Sequence, residues 1–262
     1  MAKNIQNQKP YKAMTLEREL MIEGTEYKIT VSDDSKALCS AYAEGRAVIG
    51  LWDRKKEGQS LSPASYLVES VDDIDDEFLE KVVRRRYGLP LQIRRTDRLT
   101  IREFIEEDSV EIPHEADGGK NGEIFCHPDS LKDYIRCQYG FYEYGVWALT
   151  ENETGRLVGK AGIFPMELSG LEELLPFIKE NDTPVELGYH IFTSFRRKGY
   201  GLEACKAIIT YAGEEISPRI YARIQENNLP SLRLIKSLGF TLTARTCSES
   251  GQGLCLYEWN LP

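Results

Sequence analysis

Apolar and polar positions divide the chain into short segments of period two and longer ones of helical period. Tyr27–Val31 reads as a strand. Asp34–Glu44 reads as a helix, with Ser32 or Asp33 as its N-cap and Gly45 at its end. Ala47–Leu51 is almost wholly apolar, as a strand buried on both faces is, and Tyr66–Val68 is a further short strand. In Asp75–Tyr87 the apolar Phe78, Leu79, Val82 and Val83 recur between charges, which predicts a helix stopped by Gly88-Leu89-Pro90. Leu91–Thr96 then leads into Arg98–Phe104, where Leu99, Ile101 and the following Ile105 fall on one side. That run predicts the first strand of a second domain, so the boundary is expected near residue 95, with a small α/β domain over 1–95 and a larger one over 96–262.

The second part is a longer alternation. Ile112–Gly122 carries Pro113 and an Asp-Gly-Gly-Lys-Asn-Gly run and reads as a loop. Asp129–Tyr142 is helical, and Val146–Thr150 with Leu157–Phe164 predicts a hairpin around Glu151–Gly155. Leu171–Lys179 suggests a short helix. Strands are expected at Val185–Thr193 and Ile220–Ile224, and helices at Gly201–Glu214 and Pro230–Leu238. Phe240–Cys247 and Leu254–Leu261 predict a closing strand pair. Trp147, Trp259, Tyr221 and Tyr257 take strand-like positions suited to a core. Cys137 and Cys205 fall inside helices, where a thiol is expected to pack.

Composition narrows the class. The chain has 262 residues, 41% hydrophobic and 29% charged, which is globular. No apolar run approaches the ~18–20 residues of a membrane span, so no membrane association is expected. The basic start lacks the apolar segment of a secretory signal, and the six cysteines form no C-x-x-C pair, so reduced thiols in a cytoplasm are expected. The three histidines lack metal-ligand spacing, so no metal is expected. Residues 1–95 carry 16 basic and 16 acidic side chains, whereas 96–262 carry 17 and 26, so the whole net charge of −9 lies in the second part. That field disfavours nucleic acid and favours a cationic partner.

The chemistry concentrates in Val185–Ala204. A strand leads through Arg196-Arg197-Lys198-Gly199-Tyr200-Gly201 into a helix. Amides at a helix start are unpaired, the macrodipole adds roughly half a positive charge there, and glycines permit a tight turn and a close ligand. The segment is thus a basic anion cradle in an acidic domain. Neither G-x-x-x-x-G-K-[ST] nor G-x-G-x-x-G is present.

Arg196-x-x-Gly199-x-Gly201, then Asn228-x-x-Ser231, a helix and Gly239-Phe240, resembles the GNAT superfamily of acyl-CoA-dependent N-acetyltransferases over about residues 97–262. Glu186-Leu187-Gly188-Tyr189 is similar to the Rim-type subgroup, which acetylates amino groups. The resemblance implies an α/β (α+β) fold, a mixed acyl-CoA-binding sheet with flanking helices. It implies that the main chain of Arg196, Arg197, Lys198, Gly199, Tyr200 and Gly201 holds the diphosphate of acetyl-CoA, the co-substrate. Backbone groups of Ile191, Phe192 and Thr193 would pair with the pantetheine arm, with Asn228 and Ser231 beside it near the thiol.

Glu186 is the first choice for general base and shares a strand face with His190. Many members place a Tyr, as acid to the leaving thiolate, four residues before the Gly-Phe pair. This chain has Ile235 there, so Ser231 is the candidate to hydrogen-bond the sulfur. The loop after Pro113, with His114, Glu115, Asp117 and Glu123, occupies the region that shapes the acceptor pocket in this superfamily.

In the first part, Ile29–Ser35, Ala37, Ala41, Ala43-Glu44-Gly45 and Ala47–Leu51, followed by Val68–Ile74, resembles the last strands and helices of haloacid-dehalogenase-like folds. The 26 residues before Tyr27 hold no D-x-D nucleophile. The resemblance therefore implies a small Rossmann-like, non-catalytic remnant.

The expected activity is acetyl transfer from acetyl-CoA to a primary amine, of a small molecule or a peptide N-terminus, by direct attack aided by a general base. The alternative is a non-catalytic acyl-CoA-binding or regulatory module. A homodimer is compatible with either.

Overall fold

The computed structural model describes residues 13–114, 122–167, 169, 172–178, 184–247 and 251–261. The chain divides into two compact units, Met1–Leu89 and Pro90–Pro262.

The first unit is a four-stranded sheet in the order β1-β2-β3-β4. Strands β1 (Thr15–Ile22) and β2 (Thr25–Ser32) form a hairpin, and β2, β3 (Ala47–Leu51) and β4 (Tyr66–Val68) run parallel. Helix α1 (Ser35–Ala43) connects β2 to β3, and α2 (Asp76–Tyr87) follows β4 and ends on left-handed Gly88. Ile29, Val31, Ile49, Val82 and Val83 form the core. Two expectations change here. The N-cap of α1 is Asp34, not Ser32 or Asp33, because the Asp33 carboxylate is taken by the Met14 amide at 2.8 Å. Strand β1 is not among the expected strands, because most of its residues are exposed and Arg18 interrupts the apolar alternation of Leu16, Leu20 and Ile22.

The second unit is an eight-stranded sheet in the order β11-β12-β10-β9-β8-β7-β6-β5. Its first strands are β5 (Gln92–Arg95) and β6 (Leu99–Arg102), an antiparallel pair. Because β5 belongs to this sheet, the boundary falls at Leu89/Pro90 rather than near 95. Helices α3 (Gly122–Cys126), α4 (Pro128–Tyr134) and α5 (Gly140–Tyr142) follow, with a π turn at Ile135–Tyr139 between the last two. There the Tyr139 hydroxyl donates to the Val146 carbonyl at 2.6 Å. Strands β7 (Val146–Glu151) and β8 (Leu157–Pro165) make the expected hairpin. Glu172–Phe177 is a 3-10 turn; Leu171 and Lys179 lie outside the described residues.

Strand β9 (Val185–Ile191) leads to helix α6 (Tyr200–Glu215), and β10 (Arg219–Gln225) to helix α7 (Leu229–Ser237). Strands β11 (Thr241–Cys247) and β12 (Gly253–Asn260) close the sheet. Ile208, Ala212 and Cys205 of α6 pack into the core, and the Trp147 ring meets Tyr211 of α6 edge-on at 5.7 Å. Burial pushes the Cys205 thiol up, so it stays protonated. Cys137, by contrast, is exposed on the π turn. Among the described residues no helix is long and apolar enough to cross a membrane.

Candidate functional site

The sheet is antiparallel except at β9 and β10, and those two strands share only the pairs Val185↔Ile220 and Glu186↔Tyr221. Beyond them the strands part. Along β9, successive residues turn their amide and carbonyl to alternate sides of the ladder. Phe192 donates its amide to the Val158 carbonyl at 3.0 Å, on the β8 side. Leu187, Tyr189 and Ile191 therefore turn theirs toward the side that β10 has left. This corrects the expectation for Phe192, whose amide is consumed within the sheet. The Thr193 carbonyl likewise accepts from the Arg196 amide inside a 3-10 turn. Of the three residues expected to face the gap, Ile191 alone does so, and its carbonyl accepts from Arg196 Nε at 2.8 Å.

The turn after β9 carries two left-handed residues, Arg197 at φ 60° and Gly199 at φ 86°. A non-glycine residue in that region is strained, and such strain gathers at ligand clamps. Gly199 is the N-cap of α6 and has no side chain to cap it, so among the described residues no side-chain cap satisfies the first amides of this sixteen-residue helix. A Cβ on Gly201 would lie 3.2 Å from Leu234 Cδ1 and 3.5 Å from Ile191 Cγ1, so glycine lets α6 pack closely against α7 and β9 beside the groove.

These parts enclose a groove of about 800 Å³. It is lined by Tyr189, His190 and Ile191 of β9, by Arg196, Arg197, Gly199, Tyr200 and Gly201, and by Asn228 and Ser231 at the start of α7. Most of the residues expected at the cofactor site thus meet in one place. Phe192, Thr193, Lys198 and Glu186 do not line it.

Asn228 caps α7 by accepting the Ser231 amide at 3.2 Å. The Tyr189 hydroxyl reaches the Ser231 carbonyl at 3.5 Å, and burial pushes this phenol up to about 12. Ile235 is fully buried, so its side chain fills the core rather than the groove.

Glu186 is buried and holds Arg223. Its Oε2 accepts from Nη2 at 2.6 Å and Nε at 2.8 Å, and its Oε1 accepts from the Arg223 amide at 3.2 Å. Arg223 also donates to the Glu167 carbonyl at 2.7 Å. Burial raises the Glu186 carboxyl above its ordinary value, against the opposing pull of Arg223. The residue expected as the general base is therefore half of an ion pair, and among the described residues one lone pair on Oε1 has no donor. Lys160 faces His190 across the β8–β9 ladder, and its buried ammonium lies 4.2 Å from the Phe125 ring centre. Burial lowers it to about 8.

Sequence reasoning missed a second carboxylate. Glu203, in the first turn of α6, accepts from Thr96 Oγ1 at 2.6 Å, from the Arg98 amide at 3.0 Å and from Arg98 Nε at 2.7 Å. Burial would raise this carboxyl, but those three donors hold it below the ordinary range. The Tyr200 hydroxyl donates to Glu151, which also accepts from Thr154; both hydrogen bonds hold Glu151 down. No local motif marks these partners, because they join segments about fifty and a hundred residues apart.

In the segment expected to shape the acceptor pocket, the His114 ring lies 5.9 Å from that of His127, and Glu123 sits in the first turn of α3. Glu115 and Asp117 lie outside the described residues.

Comparison with known proteins places the chain in a family and a fold. The family model described as an acetyltransferase (GNAT) domain matches residues 98–241. The uncharacterized N-acetyltransferase YjdG of Bacillus subtilis is 26% identical over 140 residues, which is 52% of this chain and 75% of YjdG. The uncharacterized protein YkkB of the same organism is 25% identical over 118 residues, 45% of this chain; the match spans only 62% of YkkB. Among solved structures, the ribosomal-protein-S5-alanine acetyltransferase of Vibrio fischeri superposes with TM-score 0.50 at 12% identity, covering 64% of this chain and 95% of that one. The likeness extends to the fold.

Proposed function

This chain belongs to the GNAT acetyltransferase family, and from that premise we propose that it transfers an acetyl group from acetyl-CoA to a primary amine, of a small molecule or a peptide N-terminus. The observation that carries the proposal is the groove, which runs from the glycine turn at Gly199 and Gly201 toward the point where β9 and β10 part. Its parts fit a long, phosphate-headed thioester. Uncapped helix amides meet the diphosphate, with Arg196, Arg197 and Lys198 supplying positive charge. The gap-facing groups of Leu187, Tyr189 and Ile191 replace the missing strand pairing for the pantetheine arm. Asn228 and Ser231 stand at its far end, and the Ser231 hydroxyl is the hydrogen-bond donor to the sulfur.

The amine must lose a proton before it attacks. For an alkyl ammonium of pKa near ~10.4 that costs roughly 4–5 kcal/mol at neutral pH. Glu186 stands at the parting of the strands with one lone pair uncommitted, and it takes this proton through a water. Arg223 holds the carboxylate in place. The amine nitrogen then attacks the thioester carbonyl, the C–S bond breaks, and the departing thiolate takes up the second proton that the nitrogen gives up. CoA release during incubation with acetyl-CoA and a panel of primary amines tests the reading. Turnover with at least one amine supports it, as does its loss in Glu186→Gln with coenzyme A binding retained.

A second reading is a non-catalytic acyl-CoA-binding or regulatory module. The Glu186–Arg223 ion pair and the buried Ile235 favour it. Coenzyme A binding without turnover on any amine would select it. The Glu186–Tyr189 run supports Rim-type amino-group acetylation, and the first unit is proposed as a non-catalytic, haloacid-dehalogenase-like remnant. A cytoplasmic protein working without a metal, on a cationic amine, completes the proposal.

A further inference from the structure

Resting on the acetyl-CoA reading, we infer that Arg98 is a positioning residue for the donor, acting through the turn that cradles the diphosphate. Arg98 lies between β5 and β6, far from the turn in sequence. Its Nη1 donates to the Lys198 carbonyl at 2.8 Å, and its guanidinium carbon lies 4.8 Å from the Tyr200 ring centre.

The first consequence is directional. In a trans peptide the carbonyl and the following amide point opposite ways. Arg98 pins the Lys198 carbonyl on its own side, so the Gly199 N–H turns to the other side, and Gly199 is one of the residues that line the groove. Left-handed Arg197 strains this turn, and Gly199 lets the chain continue through φ 86° without further strain. A peptide plane in a strained turn is free to flip unless a partner fixes it, and Arg98 is that partner. A Cβ on Gly199 would lie 3.2 Å from Arg98 Nη2, so the same packing explains the glycine.

The second consequence is electrostatic. Glu203 places a carboxylate in the first turn of α6, beneath the position of two phosphates. Arg98 neutralises it with a backbone and a side-chain donor, and Thr96 adds a third. Without Arg98 that charge opposes the ligand that the helix dipole attracts.

Calorimetric binding of coenzyme A, and of pantetheine, which lacks the diphosphate, tests this on wild type, Arg98→Ala, Arg98→Lys and Arg98→Ala/Glu203→Gln. In Arg98→Ala the Kd for coenzyme A rises about tenfold or more while the Kd for pantetheine stays within twofold. Arg98→Lys is intermediate, and removing the Glu203 charge recovers part of the loss. A weakening of both ligands alike, or no change for coenzyme A, overturns the inference. Coenzyme A binding by wild type is the separate control, since its absence overturns the donor reading itself.

Discussion

Arg223 closes on the Glu186 carboxylate at the last ladder pair that β9 and β10 share, with Nη2 2.6 Å from Oε2. The pair sits at the vertex of the parting strands, and Glu186 is almost fully buried there. Removing the cation leaves a buried carboxylate without its counterion, which costs about 3–5 kcal/mol when such pairs are broken. Arg223→Ala is expected to lower the unfolding free energy by about 3 kcal/mol in urea titration. Arg223→Lys recovers only part, because the ammonium lacks the guanidinium fork.

Gly201 lines the groove where α6 packs closely on Leu234 and Ile191. Gly201→Val places methyl groups against Leu234 and Ile191. It is expected to weaken coenzyme A binding more than tenfold while the thermal midpoint moves little, as read by calorimetry beside a melting curve. Gly199→Ala adds a Cβ at φ 86° and costs about 1 kcal/mol of stability as well as affinity.

Lys160 gives a pH signature. Its folded pKa is lowered by burial to about 8, against 10.5 ordinarily. Between those values the unfolded chain holds a proton that the folded one has released, so stability rises with pH across that window. Lys160→Met is expected to stabilise the protein at pH 7 by up to about 3 kcal/mol and to flatten the rise between pH 8 and 10. Denaturation midpoints at several pH values read both effects.

Glu151 titrates the other way. Its folded pKa is held down by Thr154 and Tyr200, so its contribution is full above the ordinary value of 4.5 and is lost as pH falls through the folded one. Melting curves from pH 6 to 3 are expected to fall less steeply for Glu151→Gln than for wild type.

The chain's own residues explain how much of this was legible. Helices α6 and α7 and the turn between β9 and α6 follow from local signals, namely Gly199, Gly201 and the Asn228 cap, and the groove they form was readable at that level. Strand β1 was not, because it is an exposed edge strand whose period-two pattern of Leu16, Leu20 and Ile22 is broken by Arg18. The fate of Glu186 was hidden too. Its partner is 37 residues away, and the parallel register that sets them side by side is a tertiary fact. Arg98 and Glu203, 105 residues apart, were hidden for the same reason. Phe192 was misplaced by one position in a period of two, which reverses the side its amide faces.

The most direct measurement is a crystal structure with coenzyme A bound. Diphosphate oxygens are expected within hydrogen-bond distance of the Gly199 and Gly201 amides, and pantetheine amides paired with Tyr189 and Ile191. Coenzyme A bound elsewhere, or a groove that stays closed to it at saturating concentration, would contradict the account.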